Sequence, residues 1–315
     1  MQRDHVTVEQ FFTEHHADLG MKLMAGAGGL SRRISEPTVN RPGLALAGFT
    51  KYFAIRRIQV IGSAESSFLK TLSIHEREAR YADLFSRRFP CLVICRGINP
   101  DKALVRAAEE ASLPVFRTPL ITMKFINLAT LALENTFAPR GTELGCMVDI
   151  LGIGVIIKGE SGIGKSECVL ALLERGYSLV SDDVTRVTLE DGCDIIGSSP
   201  ENTRNYMEVR GIGIINVQQM FGVKSIRTHK KVDLVVSLQP WDQIKDVDRL
   251  GLDRQFTKIL GRDIRHIIIP VSPGRDIGRL VEVAAFYTKM GFFGLNPAQE
   301  LNEHLLAQMA RPQKL

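Results

Sequence analysis

The sequence predicts an α/β protein: a small N-terminal α/β domain over residues 1–138, then a C-terminal P-loop domain with a mixed sheet over residues 139–315. Three observations predict this. A chain of 315 residues exceeds the usual single-domain span of about 100–200 residues. Short apolar runs alternate with amphipathic helical stretches, the rhythm of βαβ units. One glycine-rich stretch completes the pattern G-x-x-x-x-G-K-[ST] between an apolar strand and a helix.

The elements follow in order. Ile58-Gln59-Val60-Ile61-Gly62 and Leu92-Val93-Ile94-Cys95 are apolar runs closed by turn residues, as buried strands are. Asn99-Pro100-Asp101 opens a helix through about Ser112, with Asp101 at its positive end. Leu113-Pro114-Val115-Phe116 reads as another strand, and residues 119–135 as a longer amphipathic helix. Ala138-Pro139-Arg140-Gly141 breaks the pattern and reads as the linker between domains. Beyond it, Cys146-Met147-Val148-Asp149-Ile150 and Ile153 to Lys158 form strands around a Leu151-Gly152 turn. A helix over about 165–175 stops at Gly176, and a hairpin is expected to turn at Asp191-Gly192. Val232 to Leu238 and Ile267-Ile268-Ile269 are later strands, and helices at about 276–290 and 298–309 close the chain.

Composition narrows the function classes. With 44% hydrophobic and 24% charged residues, the chain is neither disordered nor fibrous. No apolar run approaches the ~20 residues that span a bilayer, and Met1-Gln2-Arg3-Asp4-His5 leads into no apolar leader. Five cysteines make no disulfide framework, and the Cys91/Cys95 pair lies in a strand-like run, so the expected compartment is the reducing cytoplasm. The net charge of +5 lies entirely in the first part, with 18 basic and 13 acidic residues in 1–139 against 22 of each in 140–315. It is scattered as pairs such as Arg32-Arg33, Arg56-Arg57 and Arg87-Arg88, so no nucleic-acid surface is expected.

The glycine-rich stretch is Gly159-Glu160-Ser161-Gly162-Ile163-Gly164-Lys165-Ser166. Its glycines let backbone N–H groups turn inward, and the helix that follows adds positive potential. Lys165 is placed to reach the β and γ phosphates and Ser166 to ligate Mg²⁺. The guanine-reading Asn-Lys-x-Asp sequence is absent, as are the eukaryotic-type kinase signatures. Leu179-Val180-Ser181 then ends in two acids, Asp182 and Asp183, 17 and 18 residues after Lys165. A strand directly after the P-loop helix returns them towards the phosphates, where one carboxylate can hold Mg²⁺ and the other take a proton from an incoming hydroxyl. Met207-Glu208-Val209-Arg210-Gly211-Ile212-Gly213-Ile214-Ile215-Asn216 sets an acid and an arginine inside an apolar strand-like run, which a purely structural strand rarely does. Pro270-Val271-Ser272-Pro273-Gly274-Arg275 is a rigid loop after a strand, aiming an arginine.

Residues 159–166, Asp182-Asp183, the Glu-x-Arg-Gly-x-Gly stretch at 208–213 and residues 270–275, in that order and spacing, resemble the bacterial HPr kinase/phosphorylase family. Asn40-Arg41-Pro42-Gly43-Leu44-Ala45-Leu46 resembles the N-terminal domain of that family. The resemblance implies a bifunctional serine protein kinase/phosphorylase of carbohydrate metabolism. Such enzymes phosphorylate a serine of HPr, the phosphocarrier of the sugar phosphotransferase system, with ATP. They remove that phosphate by phosphorolysis, giving pyrophosphate. It implies a homohexamer whose C-terminal P-loop kinase/phosphorylase domain carries the chemistry. By position, Lys165 binds phosphate, Ser166 and Glu208 ligate Mg²⁺, and Asp183, beside Asp182, exchanges the proton. Arg249 falls at a catalytic arginine, residues 207–216 serve both reactions, and 270–275 serve mainly dephosphorylation.

One departure from the family pattern is important: Leu144 precedes Gly145 where the family carries an active-site histidine. Glu160 also replaces the usual Asp, a mild change because the loop binds through backbone. Two other readings share the same residues. A nucleotide-binding regulator without phosphoryl transfer is favoured by Leu144 and opposed by Lys165, Ser166, Asp182, Asp183, Glu208 and Arg249; a P-loop kinase of small molecules differs only in surface shape.

Overall fold

The computed structural model of the chain describes residues 4–243 and 255–309. The chain divides into two compact units, Gln2–Ala138 and Pro139–Leu315.

The first unit opens with β1 (Val6–Thr7), α1 (Val8–His15), β2 (Lys22–Ala25), β3 (Arg33–Ile34) and β4 (Val39–Asn40). Then come α2 (Gly43–Leu46), β5 (Ile58–Ile61), α3 (Ser63–Thr71), α4 (Ile74–Phe85), β6 (Leu92–Ile94), α5 (Lys102–Glu110), β7 (Val115–Arg117) and α6 (Thr122–Phe137). Its main sheet has the order β2-β7-β6-β5-β4. Strands β4 to β7 run parallel and β2 antiparallel. The strands read as unbroken apolar runs because both faces are covered. Val60, Val93 and Phe116 pack with Phe125 and Leu133 of α6, whereas Ile61, Ile94 and Val115 pack with Tyr81 and Leu104 of α4 and α5. Asp101 caps α5 by accepting the Leu104 N–H at 2.8 Å.

The second unit contains β8 (Arg140–Leu144), β9 (Cys146–Ile150), β10 (Ile153–Lys158), α7 (Lys165–Glu174), β11 (Ser178–Ser181), β12 (Val184–Glu190) and β13 (Asp194–Ser198). It continues with β14 (Tyr206–Val209), β15 (Gly213–Asn216), α8 (Val217–Phe221), β16 (His229–Lys231) and β17 (Leu234–Pro240). The last elements are β18 (Gln255–Ile259), β19 (Arg262–Val271), α9 (Ile277–Phe292) and α10 (Pro297–Met309). Among the described residues, one sheet runs β11-β9-β10-β17-β19-β18 and a second runs β16-β13-β12-β8. The first is mixed: β10, β17 and β19 are parallel, and β9, β11 and β18 are antiparallel to their neighbours. One face packs Val155, Ile157 and Val236 against Val169 and Leu172 of α7 and Ala285 of α9. The other packs Ile156 and Val235 against Val187 and Ile195 of the second sheet. Each fully buried aliphatic side chain contributes about 1.5–3 kcal/mol to this sandwich.

The β12–β13 hairpin turns through the three residues 191–193, between the paired Glu190 and Asp194, with Asp191 and Gly192 at positive φ. Two readings of the sequence are corrected. Residues 138–141 do not form a free linker. The break is confined to Ala138 and Pro139, because Arg140 already pairs with Thr188 in the β8–β12 ladder, and the Leu189 N–H donates to the Pro139 carbonyl. The strand alternates inward and outward, but its inward residues are Gly141 and Glu143, which hide the apolar alternation. Residues 207–216 are not one strand but the hairpin β14–β15, turning at 210–212 with Gly211 at φ +83°.

Candidate active site

Strands β10, β17 and β19 are parallel, so the segments following them emerge at one edge of the sheet, where open α/β folds place their ligands. Residues 159–166 follow β10 and lead into α7. Gly159 has φ +157°, and a Cβ there would meet the Leu238 carbonyl at 3.0 Å, so only glycine lets the loop start this close to β17. Gly164 enters α7 at φ +104° and gives that helix no side-chain cap. The Lys165 Nζ lies over the loop and donates to the carbonyls of Gly159 and Glu160 at 2.9 and 3.0 Å. Ser166 stands half-buried in the first turn of α7. The 270–275 stretch straddles the end of β19: Pro270 and Val271 still pair with β17. The turn beyond is closed by the Arg275 N–H on the Ser272 carbonyl. The Arg275 guanidinium lies 5.5 Å from the centre of the Trp241 ring, a cation–π contact.

The two aspartates sit where the chain passes from one sheet to the other. It crosses at Leu144 and Gly145 between β8 and β9, at Asp182 and Asp183 between β11 and β12, and again at Val232 and Asp233 between β16 and β17. The first two crossings are bonded to each other. The Gly145 N–H donates to the Asp183 carbonyl at 2.7 Å, and the Thr185 hydroxyl donates to the Gly145 carbonyl at 3.0 Å. Asp183 adopts φ +54°, which aspartate tolerates better than most residues. Leu144, opposite Val184 in the ladder, is 75% exposed.

The two carboxyl groups have different surroundings. Asp182 is half-buried: one oxygen accepts the Cys146 thiol at 3.1 Å and the other the Glu208 N–H at 3.0 Å. Burial raises its pKa, and the neighbouring Asp183 charge adds to this; the two hydrogen bonds act the other way but do not win. Asp183 is exposed. Burial, reinforced by Asp182, also raises the Cys146 pKa, so the thiol stays protonated and donates. Cys146, Asp182 and Asp183 bring ligand atoms within 4.8 Å of one another. A protonated thiol is a poor partner for a hard cation, so the carboxylate oxygens and the Ser166 hydroxyl are the better donors for Mg²⁺.

The hairpin β14–β15 joins both parts. Met207, Val209 and Ile215 are buried and anchor it, while Glu208 and Arg210 face outward. The Glu208 N–H bonds Asp182, and the Arg210 guanidinium donates to the Ser161 hydroxyl at 2.6 Å. Ile212 and Ile214 are exposed, and Asn216 caps α8 by accepting from Gln219. The sequence reading missed Cys146, which looked like one more apolar strand residue, and Thr185, which follows the acid pair without any motif. Arg249 lies outside the described residues.

Comparison with known proteins shows the family of the chain. Residues 6–133 match the HPr Serine kinase N terminus family and residues 135–305 the HPr Serine kinase C-terminal domain family. The HPr kinase/phosphorylase of a Geobacillus species is 40% identical over 285 residues, covering 90% of this chain and 92% of that protein. That of Listeria monocytogenes serotype 4a is 42% identical over 287 residues, covering 91% and 92%. A solved structure of the Hpr(Ser) kinase/phosphatase from Coxiella burnetii is 32% identical, with a TM-score of 0.47, over 52% of this chain and 98% of that one. The chain belongs to the HPr serine kinase family.

Proposed function

We propose that this protein transfers the γ-phosphoryl group of ATP to a serine of the phosphocarrier HPr and returns it to inorganic phosphate, releasing pyrophosphate. The observation that carries this reading is that one hairpin bonds both the acid turn and the phosphate loop, through Glu208 to Asp182 and Arg210 to Ser161. A base and a phosphate cradle are thereby held as one site.

In the forward direction the serine oxygen attacks the γ-phosphorus, the bond to the β-phosphate oxygen breaks, and Asp183 takes the hydroxyl proton. Asp183 suits this role because it is exposed, whereas burial biases Asp182 towards its neutral form. Lys165 and the loop N–H groups hold the phosphates in line. In reverse, an oxygen of inorganic phosphate attacks the phosphoserine phosphorus, and Asp183 returns the proton to the leaving serine oxygen. Mg²⁺, when bound, would neutralise phosphate charge; Ser166, in the first turn of α7, and Glu208, whose N–H bonds Asp182, are its proposed holders. Residues 270–275, at the end of the strand next to β17, suit the incoming phosphate of the reverse reaction. We assign the chemistry to residues 139–315, a separate role to residues 1–138, a homohexameric assembly, and a cytoplasmic location. No described helix is long and apolar enough to cross a membrane.

Incubation with ATP, Mg²⁺ and HPr should give phosphoserine by mass spectrometry. Phosphoserine-HPr with inorganic phosphate should then give pyrophosphate. Nucleotide binding without any phosphoserine would replace this reading by a non-catalytic regulator.

A further inference from the structure

Lys158 is the last residue of β10 and immediately precedes Gly159. Its Nζ meets the Glu143 carboxylate at 2.5 Å, and both side chains are about three-quarters buried, with 27% and 22% exposure. Glu143 lies on β8, in the other sheet, one residue before Leu144. It stands opposite Thr185, whose hydroxyl holds the Gly145 carbonyl. No ladder joins β8 to β10 among the described residues, so this pair bridges the two sheets beside the phosphate loop. On its other side Lys158 stands in register with Ser237, whose hydroxyl lies 2.8 Å from the His266 Nε2. Burial, and then the Lys158 charge, hold the His266 pKa low, so the imidazole adds no second cation beside Lys158.

A largely buried ion pair between two sheets is a weak device for stability, because desolvation offsets most of its attraction. Its geometry is specific, and it ties together two segments that must be aligned for transfer. We infer that the Glu143–Lys158 pair is a positioning clamp, which sets the Asp182–Asp183 turn against the phosphate loop. The inference rests on the phosphoryl-transfer reading for its kinetic consequence, but not for its structural one.

The test compares Glu143→Gln, Lys158→Met and the reciprocal exchange Glu143→Lys with Lys158→Glu in the full chain. The expected result for each single variant is a kcat about tenfold lower with HPr, with the Kd for ATP within about twofold. Hydrogen exchange at the Gly145 and Val184 amides, which bond the acid turn, should become faster. The exchange of charges should return kcat to within about threefold of the wild type. An unchanged kcat in both single variants overturns the clamp, as does a parallel loss of Tm and ATP binding with no change at those two amides. If the exchanged variant does not fold, the single variants decide. If the wild type makes no phosphoserine-HPr, the functional reading fails, and amide exchange alone still decides the clamp.

Discussion

Helices α3 and α7 start in the same way and end up with opposite uses. Each follows a buried strand of a parallel set, and each is entered through glycine, Gly62 in one case and Gly164 in the other. At α3 the free N–H groups meet an internal acid. The Glu65 carboxylate, 5% exposed, accepts the Gly62 N–H at 2.9 Å and both arms of the Arg41 guanidinium at 2.9 and 2.8 Å. At α7 there is no side-chain cap, and the glycine loop widens in front of the helix. A helix start concentrates unsatisfied donors and positive potential. The first unit neutralises that potential from within, and the second leaves it facing the edge where Asp183 also stands. Strand-glycine-helix architecture therefore does not by itself make a phosphate site; the presence or absence of an internal anion decides.

The strongest attempt to break this contrast removes the acid that only the second unit carries. Asp183→Asn should lower HPr phosphorylation by about 10²–10⁴-fold, the usual cost of losing a general base, with ATP affinity retained. A wild-type rate would move the role to Asp182. Next, Lys165→Ala should reduce transfer by about 10²-fold or more without altering the fold, since its Nζ meets only loop carbonyls. Turnover above about 1% in that variant contradicts the assignment of the loop.

Glu65→Gln sharpens the other side of the contrast. It should destabilise the first unit by about 1–3 kcal/mol, the range for a lost charge-assisted hydrogen bond. It should leave the rate of phosphoryl transfer by the folded full chain unaffected, because Glu65 lies in the first unit and the chemistry is assigned to residues 139–315. Burial opposes the Glu65 charge, but the hydrogen bonds from Arg41 and the Gly62 N–H outweigh it and hold the carboxyl below its ordinary range. Its stabilisation is therefore complete above the unfolded-state pKa of about 4.3 and fades as the pH falls through the lower folded value. Acid titration of the wild type should thus show a Glu65-dependent loss of stability below about pH 4 that the glutamine variant lacks.

The smallest expected effect is at Leu144. The reverse reaction brings a phosphate anion to a phosphoserine beside two aspartates, so it depends more than the forward one on nearby donors. Leu144→His should raise phosphorolysis more than phosphorylation. With position 144 three-quarters exposed, water screens the gain to about 1 kcal/mol, near fivefold. Equal acceleration of both reactions would show that this position does not set their balance.

The reach of the sequence is clearest where chemistry is contiguous. Residues 159–166 are a single loop whose backbone makes the site, so eight adjacent residues carry the whole signal. The apolar runs of β5, β6, β10 and β17 were legible for a similar reason: covered faces demand unbroken hydrophobic residues. Strand β8 was hidden because its inward residues are glycine and glutamate, neither of which marks a buried face. The hairpin at 206–216 looked like one strand because its turn itself contains Ile212 and is flanked by Val209 and Ile214-Ile215, and only the positive φ of Gly211 and Gly213 reveals it.

By itself, then, the sequence determined the α/β class, the phosphate loop, the acid pair and the family. Each is local in the chain, either as a periodicity or as a short run of residues. Tertiary structure alone decided how the acid pair differs within itself. Asp182 is held by Cys146 and Glu208, from 36 and 26 residues away, while Asp183 is left to solvent. It also decided that Glu143 and Lys158 meet across two sheets and that Arg210 reaches Ser161. Desolvation and hydrogen-bond partners depend on which segments pack together, and no window of sequence contains both sides of such a contact.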